Sequence, residues 1–163
     1  MFKDELLRAA KLLLADLAPL ALKLATAESC TGGLLAALIT EVPGASKHLE
    51  RGFVTYSNEA KNEMLGVPAE LIEEHGAVSE AVARAMAEGA IAHSRADLAV
   101  SITGVAGPDG GTSAKPVGLV HFAAARRGRP SIHLEQRFGE LGRSEIRLLS
   151  VAVALDLVRR MIV

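Results

Sequence analysis

The sequence predicts an α/β fold, a three-layer α/β/α sandwich around a mixed β-sheet. Three observations carry this. Helical and strand-like segments alternate along the chain, which favours helices on both faces of a sheet. Half of the residues are hydrophobic, enough to fill a core. Only 3% are aromatic and none is Trp, so that core is built from Leu, Val, Ile and Ala, which suits slim helices lying close to a sheet. At 163 residues the chain reads as one domain, 1–163, burying about 70% of the surface its unfolded form exposes.

The elements follow in order. Residues 2–18 set Phe2, Leu6, Leu7, Leu13, Leu14 and Leu17 on one helical stripe, with Lys3, Asp4, Arg8 and Lys11 opposite, and Pro19 ends that helix. Leu22 to Ala27 reads as a strand running into Glu28-Ser29-Cys30-Thr31-Gly32-Gly33, and the apolar run Leu34 to Val42 as a buried helix closed by Pro43-Gly44. Arg51 to Ser57 alternates as a strand, with Phe53 and Thr55 on one face and Val54 and Tyr56 on the other. Asn58 is the expected N-cap of a short helix holding Lys61. Pro68 opens another helix that stops near Gly76, and Ser79-Glu80 begins an Ala-rich helix reaching about Ser94. That helix fits either an interface or a tightly packed core position.

Asp97 to Thr103 is a strand leading into the glycine-rich stretch Gly104 to Gly111. Val117 to Ala125 and Ser131 to Phe138 read as a hairpin whose tip, Arg126-Arg127-Gly128-Arg129, is expected to be a solvated turn. The last helix starts near Ser144, with Ile146, Leu149, Val153 and Leu157 as its core stripe.

Composition removes several function classes. The formal net charge is −1, without the clustered basic surplus that nucleic acid requires. A single cysteine, Cys30, allows no disulfide framework and no cysteine-based metal site. The acidic start of the chain is unlike a signal peptide. No apolar run approaches the roughly 20 residues of a membrane span. A cytoplasmic protein without nucleic-acid or membrane partners is the expectation.

Two loops follow strands, the position where open α/β sheets bind ligands. Glu28 to Gly33 is a strand-to-helix turn whose glycines allow close approach and whose helix start favours an oxyanion or phosphate. Ser29 there is a candidate nucleophile, although Ser29 or Thr31 equally suits a helix cap. Thr103 to Gly111 fits a phosphate or ribose cradle or a flexible connection. No GxxxxGK[ST], GxGxxG or GxSxG pattern occurs, which disfavours a nucleotide kinase or dehydrogenase. His48, His75, His93, His121 and His133 lack metal-ligand spacing, so no metal is expected.

A serine without a histidine needs another base. Lys61 is the candidate, and it acts only if its amine is neutral. Lowering a lysine pKa from about 10.4 to near 7 costs about 4–5 kcal/mol. The ordinary place for such a lysine is an exposed helix face. Tyr56, the only tyrosine, is positioned to relay a proton or hold the Lys61 amine, or simply to end a strand at the surface. Cys30 is a rival nucleophile with no histidine near it in sequence.

Four segments together, Ala27 to Gly33, Tyr56 to Lys61, Gly76 to Ser79, and Thr103 to Pro108 with Gly110-Gly111, resemble the CinA C-terminal domain family in the family's own order. Its characterised members are nicotinamide-mononucleotide deamidases. The resemblance implies hydrolysis of nicotinamide mononucleotide, a small-molecule nucleotide substrate, with neither metal nor organic cofactor, by a protein that self-associates. It carries the family's nucleophile onto Ser29, its tyrosine onto Tyr56 and its lysine onto Lys61. Substrate binding falls on Thr31, Gly32, Gly33, Thr103, Gly104 and Gly107, and a late arginine on Arg143. Here Gly142 precedes that arginine, where the family tends to have an acidic or amide residue. Larger family members carry a further N-terminal domain, so this sequence is expected to be the stand-alone form. A different small-amide amidase and a non-catalytic nucleotide- or partner-binding module are the rival readings.

Overall fold

Helix α1 (Asp4–Leu17) buries Leu6, Ala10, Leu13, Leu14 and Leu17, close to the stripe read from sequence. Pro19 lies in the short 3-10 turn Ala18–Leu20 that ends it. Strand β1 (Leu24–Glu28) is buried at every position because it is the sheet's inner parallel strand. It pairs in parallel with β2 (Leu49–Val54) on one side and β3 (Leu98–Gly104) on the other. β3 pairs antiparallel with β4 (Leu119–Arg126), and β4 with β5 (Ile132–Arg137). The order is β2-β1-β3-β4-β5, a mixed sheet as predicted. The computed structural model describes residues 1–163.

The remaining helices are α2 (Leu34–Thr40), α3 (Asn58–Leu65), α4 (Ala69–His75), α5 (Glu80–Ala92) and α6 (Arg143–Arg159). Apolar residues of α1, α2 and α6 share one core with Leu98, Val100, Ile102 and Phe122 of the sheet. Those of α3, α4 and α5 share a second core with Ala25, Ala27, Ala99, Ala123 and Ala125 on the other sheet face. The three layers predicted from sequence are therefore present. The second core is alanine-rich, so α5 sits deep in it. A Cβ on Gly89 would lie only 2.0 Å from the Leu65 carbonyl oxygen, so the Ala-rich helix takes the core position.

Three local expectations change. The N-cap of α3 is Ser57, not Asn58: the extended Ser57 backbone lets its hydroxyl accept the Ala60 N–H at 3.0 Å, which leaves Asn58 as the first helical residue. β2 stops at Val54, so Tyr56 lies beyond the strand. In α6 the buried face runs through Ile146, Ser150, Ala154 and Leu157 with Val151, Leu155 and Val158, while Leu149 and Val153 are only half-buried. The small Ser150 and Ala154 let the helix approach the sheet, and Ser150 returns its hydroxyl to the Ile146 carbonyl at 2.7 Å.

The exposed turn expected at the arginine run is present at residues 127–129, and its arginines are also bonded. Arg126 donates to the Met161 and Ile162 carbonyls at 2.9 and 2.7 Å, and Arg127 to the Ile91 and Ala96 carbonyls at 3.2 and 2.9 Å. Arg129 reaches the Val163 carbonyl at 2.8 Å. These cations satisfy carbonyls at or just past helix C-termini, where both orphan acceptors and the helix dipole favour positive charge. No helix is long and apolar enough to cross a membrane.

Candidate active site

The carboxyl ends of β1, β2 and β3 meet at one edge of the sheet, and the residues singled out by sequence gather there. Glu28 ends β1 fully buried. Its carboxylate accepts the Thr31 hydroxyl at 2.7 Å and the Leu35 and Ala36 N–H groups at 2.8 and 3.1 Å. Glu28 thus caps α2 from beneath the turn and occupies the Thr31 hydroxyl. That leaves the Ser29 hydroxyl out of capping.

The turn itself is tight. The Ser29 N–H donates to the Ile102 carbonyl of β3 at 2.9 Å, and the Gly32 N–H returns to the Ser29 carbonyl at 3.0 Å. Gly32 and Gly33 take φ values of 56° and 99°, which side chains with a Cβ rarely adopt. The N–H groups of Cys30, Thr31 and Gly33 donate to no acceptor in the protein.

Lys61 is the departure from ordinary lysine behaviour. It is 1% exposed, and its Nζ donates to Ser29 Oγ at 3.1 Å and to the Thr55 carbonyl at 2.9 Å. It makes no ion pair. Burial without a compensating carboxylate disfavours the ammonium, and the pKa of Lys61 is pulled below the usual lysine value by that desolvation. Ser29, 7% exposed, is thereby held beside an amine biased toward its neutral form.

Cys30 is 6% exposed, and burial pushes its thiol up to about 11. It is a protonated thiol at neutral pH, a poor nucleophile.

Tyr56 and Arg143 form a second pair at the rim. Arg143, the first residue of α6, donates through Nη2 to the Tyr56 hydroxyl at 2.7 Å and through Nη1 to the Gly107 carbonyl at 2.7 Å. Tyr56 is 60% exposed. It is the Thr55 carbonyl, not Tyr56, that holds the Lys61 amine. Gly107, with φ of 77°, presents its carbonyl to Arg143. A pocket lined by Ala106, Pro108, Val117, Glu140, Gly142 and Arg143 opens beside it.

The Thr103 hydroxyl points into the protein. Thr103 is buried, and its hydroxyl donates to the Ala77 carbonyl at 2.8 Å. It ties the Gly76 to Ser79 turn to the sheet. A Cβ on Gly104 would meet Val120 at 2.7 Å, so this glycine serves the close β3–β4 approach.

Sequence reasoning missed two residues. Glu28 was quoted in the turn without a role; an acid at the foot of an apolar helix, three residues before Thr31, was the available signal. Arg147 donates through Nε to the Cys30 carbonyl and through Nη2 to the Thr31 carbonyl, both at 3.0 Å. Its spacing of four from Arg143 puts both on one helix face. Elsewhere, His121 Nδ1 and His133 Nε2 share a hydrogen bond at 2.9 Å, and no three His, Cys, Asp or Glu side chains converge as a metal-binding group.

The chain resembles known proteins in sequence and fold. The chain is similar to a putative competence-damage inducible protein of Symbiobacterium thermophilum, 65% identical over 113 residues, covering 69% of this chain and 26% of that protein. It is 48% identical over 142 residues to one from Caldicellulosiruptor bescii, covering 87% and 34% respectively. The chain thus spans about a quarter to a third of these relatives' length. Among solved structures, competence/damage inducible protein CihA from Agrobacterium tumefaciens superposes with a TM-score of 0.97 at 48% identity, over 99% of this chain and 98% of that one. A CinA superfamily protein from Escherichia coli gives 0.91 at 34% identity, over 99% and 94%. The model of the CinA C-terminal domain matches residues 7–162, nearly the whole chain and every element that builds the cleft, and the protein belongs to that family.

Proposed function

We propose that this domain is an amidohydrolase that converts nicotinamide mononucleotide to nicotinate mononucleotide and ammonia, with Ser29 as nucleophile and Lys61 as general base. The observation that carries the reading is the buried Lys61 amine 3.1 Å from Ser29 Oγ, without a carboxylate partner. The substrate follows from the family resemblance in the four motifs.

In this reading Ser29 Oγ attacks the amide carbonyl carbon as its proton passes to the neutral Lys61 Nζ. The oxyanion is met by N–H groups of the turn, among which Thr31 and Gly33 have no other acceptor. One such donor is typically worth about 3–4 kcal/mol. Lys61 then gives its proton to the departing nitrogen. The C–N bond breaks, ammonia leaves, and an acyl ester remains on Ser29. Water, deprotonated by the same amine, cleaves that ester and restores the hydroxyl. Tyr56 lines the mouth, and the substrate phosphate lies against Arg143, whose guanidinium is bonded to the Gly107 carbonyl of the glycine-rich loop.

The test is ammonia release from nicotinamide mononucleotide, free nicotinamide and unrelated small amides by the parent and by Ser29→Ala. Turnover of the nucleotide by the parent and none by the variant is expected. Preference for another amide would move the substrate assignment but keep the site. Binding without turnover in the parent would make the domain a nucleotide-binding module.

A further inference from the structure

Arg147 reaches across from the second turn of α6 to the turn that carries Ser29. Its two hydrogen bonds, to the Cys30 and Thr31 carbonyls at 3.0 Å each, hold two successive peptide planes with one planar fork. A trans peptide points its N–H opposite to its carbonyl, and the only cis bond in the chain is Gly107-Pro108. Drawing the Cys30 carbonyl toward α6 therefore sends the Thr31 N–H to the far side of the turn.

The layers say which side that is. α6 packs in the core shared with α1 and α2, whereas α3, which supplies Lys61, packs in the core on the opposite sheet face. The Thr31 N–H is thus directed away from α6, toward the side on which Lys61 holds the Ser29 hydroxyl. That N–H has no acceptor in the protein. Nothing else in the turn fixes this plane. Glu28 binds the Thr31 hydroxyl and the start of α2, and the Gly32 N–H fixes only the next peptide. The guanidinium also lies over Gly32, where a Cβ would sit 3.6 Å from Arg147 Nη2.

We infer that Arg147 is a positioning residue for the oxyanion hole: it locks the Cys30-Thr31 peptide so that the Thr31 N–H meets the oxygen of the attacked carbonyl. Its charge also polarises that peptide and strengthens the N–H as a donor. The inference rests on Ser29 as the nucleophile, but not on which amide is the substrate.

The experiment compares the parent, R147K and R147M by three readouts. These are kcat and KM for nicotinamide mononucleotide, affinity for pyridine-3-boronic acid (which forms a tetrahedral adduct on an active serine), and affinity for nicotinate mononucleotide. Active Ser29 is counted by fluorophosphonate labelling, so that misfolded protein is discounted. R147M is expected to lose about 100- to 1,000-fold in kcat per active site, the range for one lost oxyanion donor. Boronate affinity should fall with it, while KM and product affinity stay within about threefold. R147K, which keeps the charge without the fork, should recover only part, and it carries the comparison if R147M does not fold. Unchanged boronate affinity per active site in R147K and R147M would overturn the inference, as would a rise in KM with kcat intact. If the parent does not turn over the nucleotide, an Arg147-dependent loss of boronate affinity still supports the inference while the substrate reading falls.

Discussion

Lys61 Nζ and Ser29 Oγ lie 3.1 Å apart although 32 residues separate them in the chain. Two parallel strands bring them together: β1 delivers Ser29 at its carboxyl end, and β2, beside it, leads through Thr55 into the helix that carries Lys61. The Thr55 N–H donates to the Glu28 carbonyl at 2.8 Å, so the strand ends are fastened to one another where the two side chains meet.

The first prediction concerns Lys61 and pH. Its folded-state pKa lies below the unfolded value, so folding is opposed fully below the folded pKa. That opposition is relieved as pH rises toward the ordinary lysine value of about 10.4. Lys61→Met removes the buried cation. The stability difference, variant minus parent, should therefore shrink as pH rises through this window, measured by denaturant melts. Activity should fall by about 100- to 10,000-fold, the range for a lost general base. A stability difference that does not vary with pH would contradict the account.

Cys30 should be dispensable. Its thiol is raised to about 11 by burial, so iodoacetamide at neutral pH should inactivate slowly and Cys30→Ala should retain most activity. Rapid, complete inactivation that Cys30→Ala abolishes would transfer the nucleophile to residue 30.

Arg143→Ala should raise KM for the nucleotide far more than for free nicotinamide, since the arginine is assigned to phosphate. Equal effects on both would remove that assignment. Tyr56→Phe deletes only the hydroxyl that accepts from Arg143. A smaller KM effect is expected, within about tenfold, as for one exposed hydrogen bond to a charged group.

Gly89→Ala probes the second core away from the chemistry. A methyl placed 2.0 Å from the Leu65 carbonyl oxygen forces α3 and α5 apart. A loss of about 1–3 kcal/mol is expected from overpacking, read as a lower thermal midpoint. An unchanged midpoint would mean the helices part without penalty.

Much of this was legible in the sequence because it is local. Alternation of segments gave the layers, the glycines gave the turns, and the placement of the Ser29 turn and the glycine-rich loop after strands marked both as ligand-binding loops. What escaped was tertiary. The polar pattern of Asn58 to Leu65 suits an exposed helix, and only the meeting with the Ser29 turn buries Lys61. The tip carrying Arg127 and Arg129 is exposed as read, but the carbonyls that they and Arg126 bind come from distant parts of the chain. The α6 stripe was misread because large apolar residues were weighted, whereas Ser150 and Ala154 are buried for being small. Arg147 had no local signal beyond its spacing from Arg143.

The sharpest measurement is an NMR titration of the Lys61 ε-carbon, assigned by its loss in Lys61→Met. A proton-loss midpoint below the ordinary lysine value is predicted, because burial without a carboxylate makes the ammonium costly. A midpoint at or above the ordinary lysine value of about 10.4 would leave Ser29 without its base and contradict the mechanism.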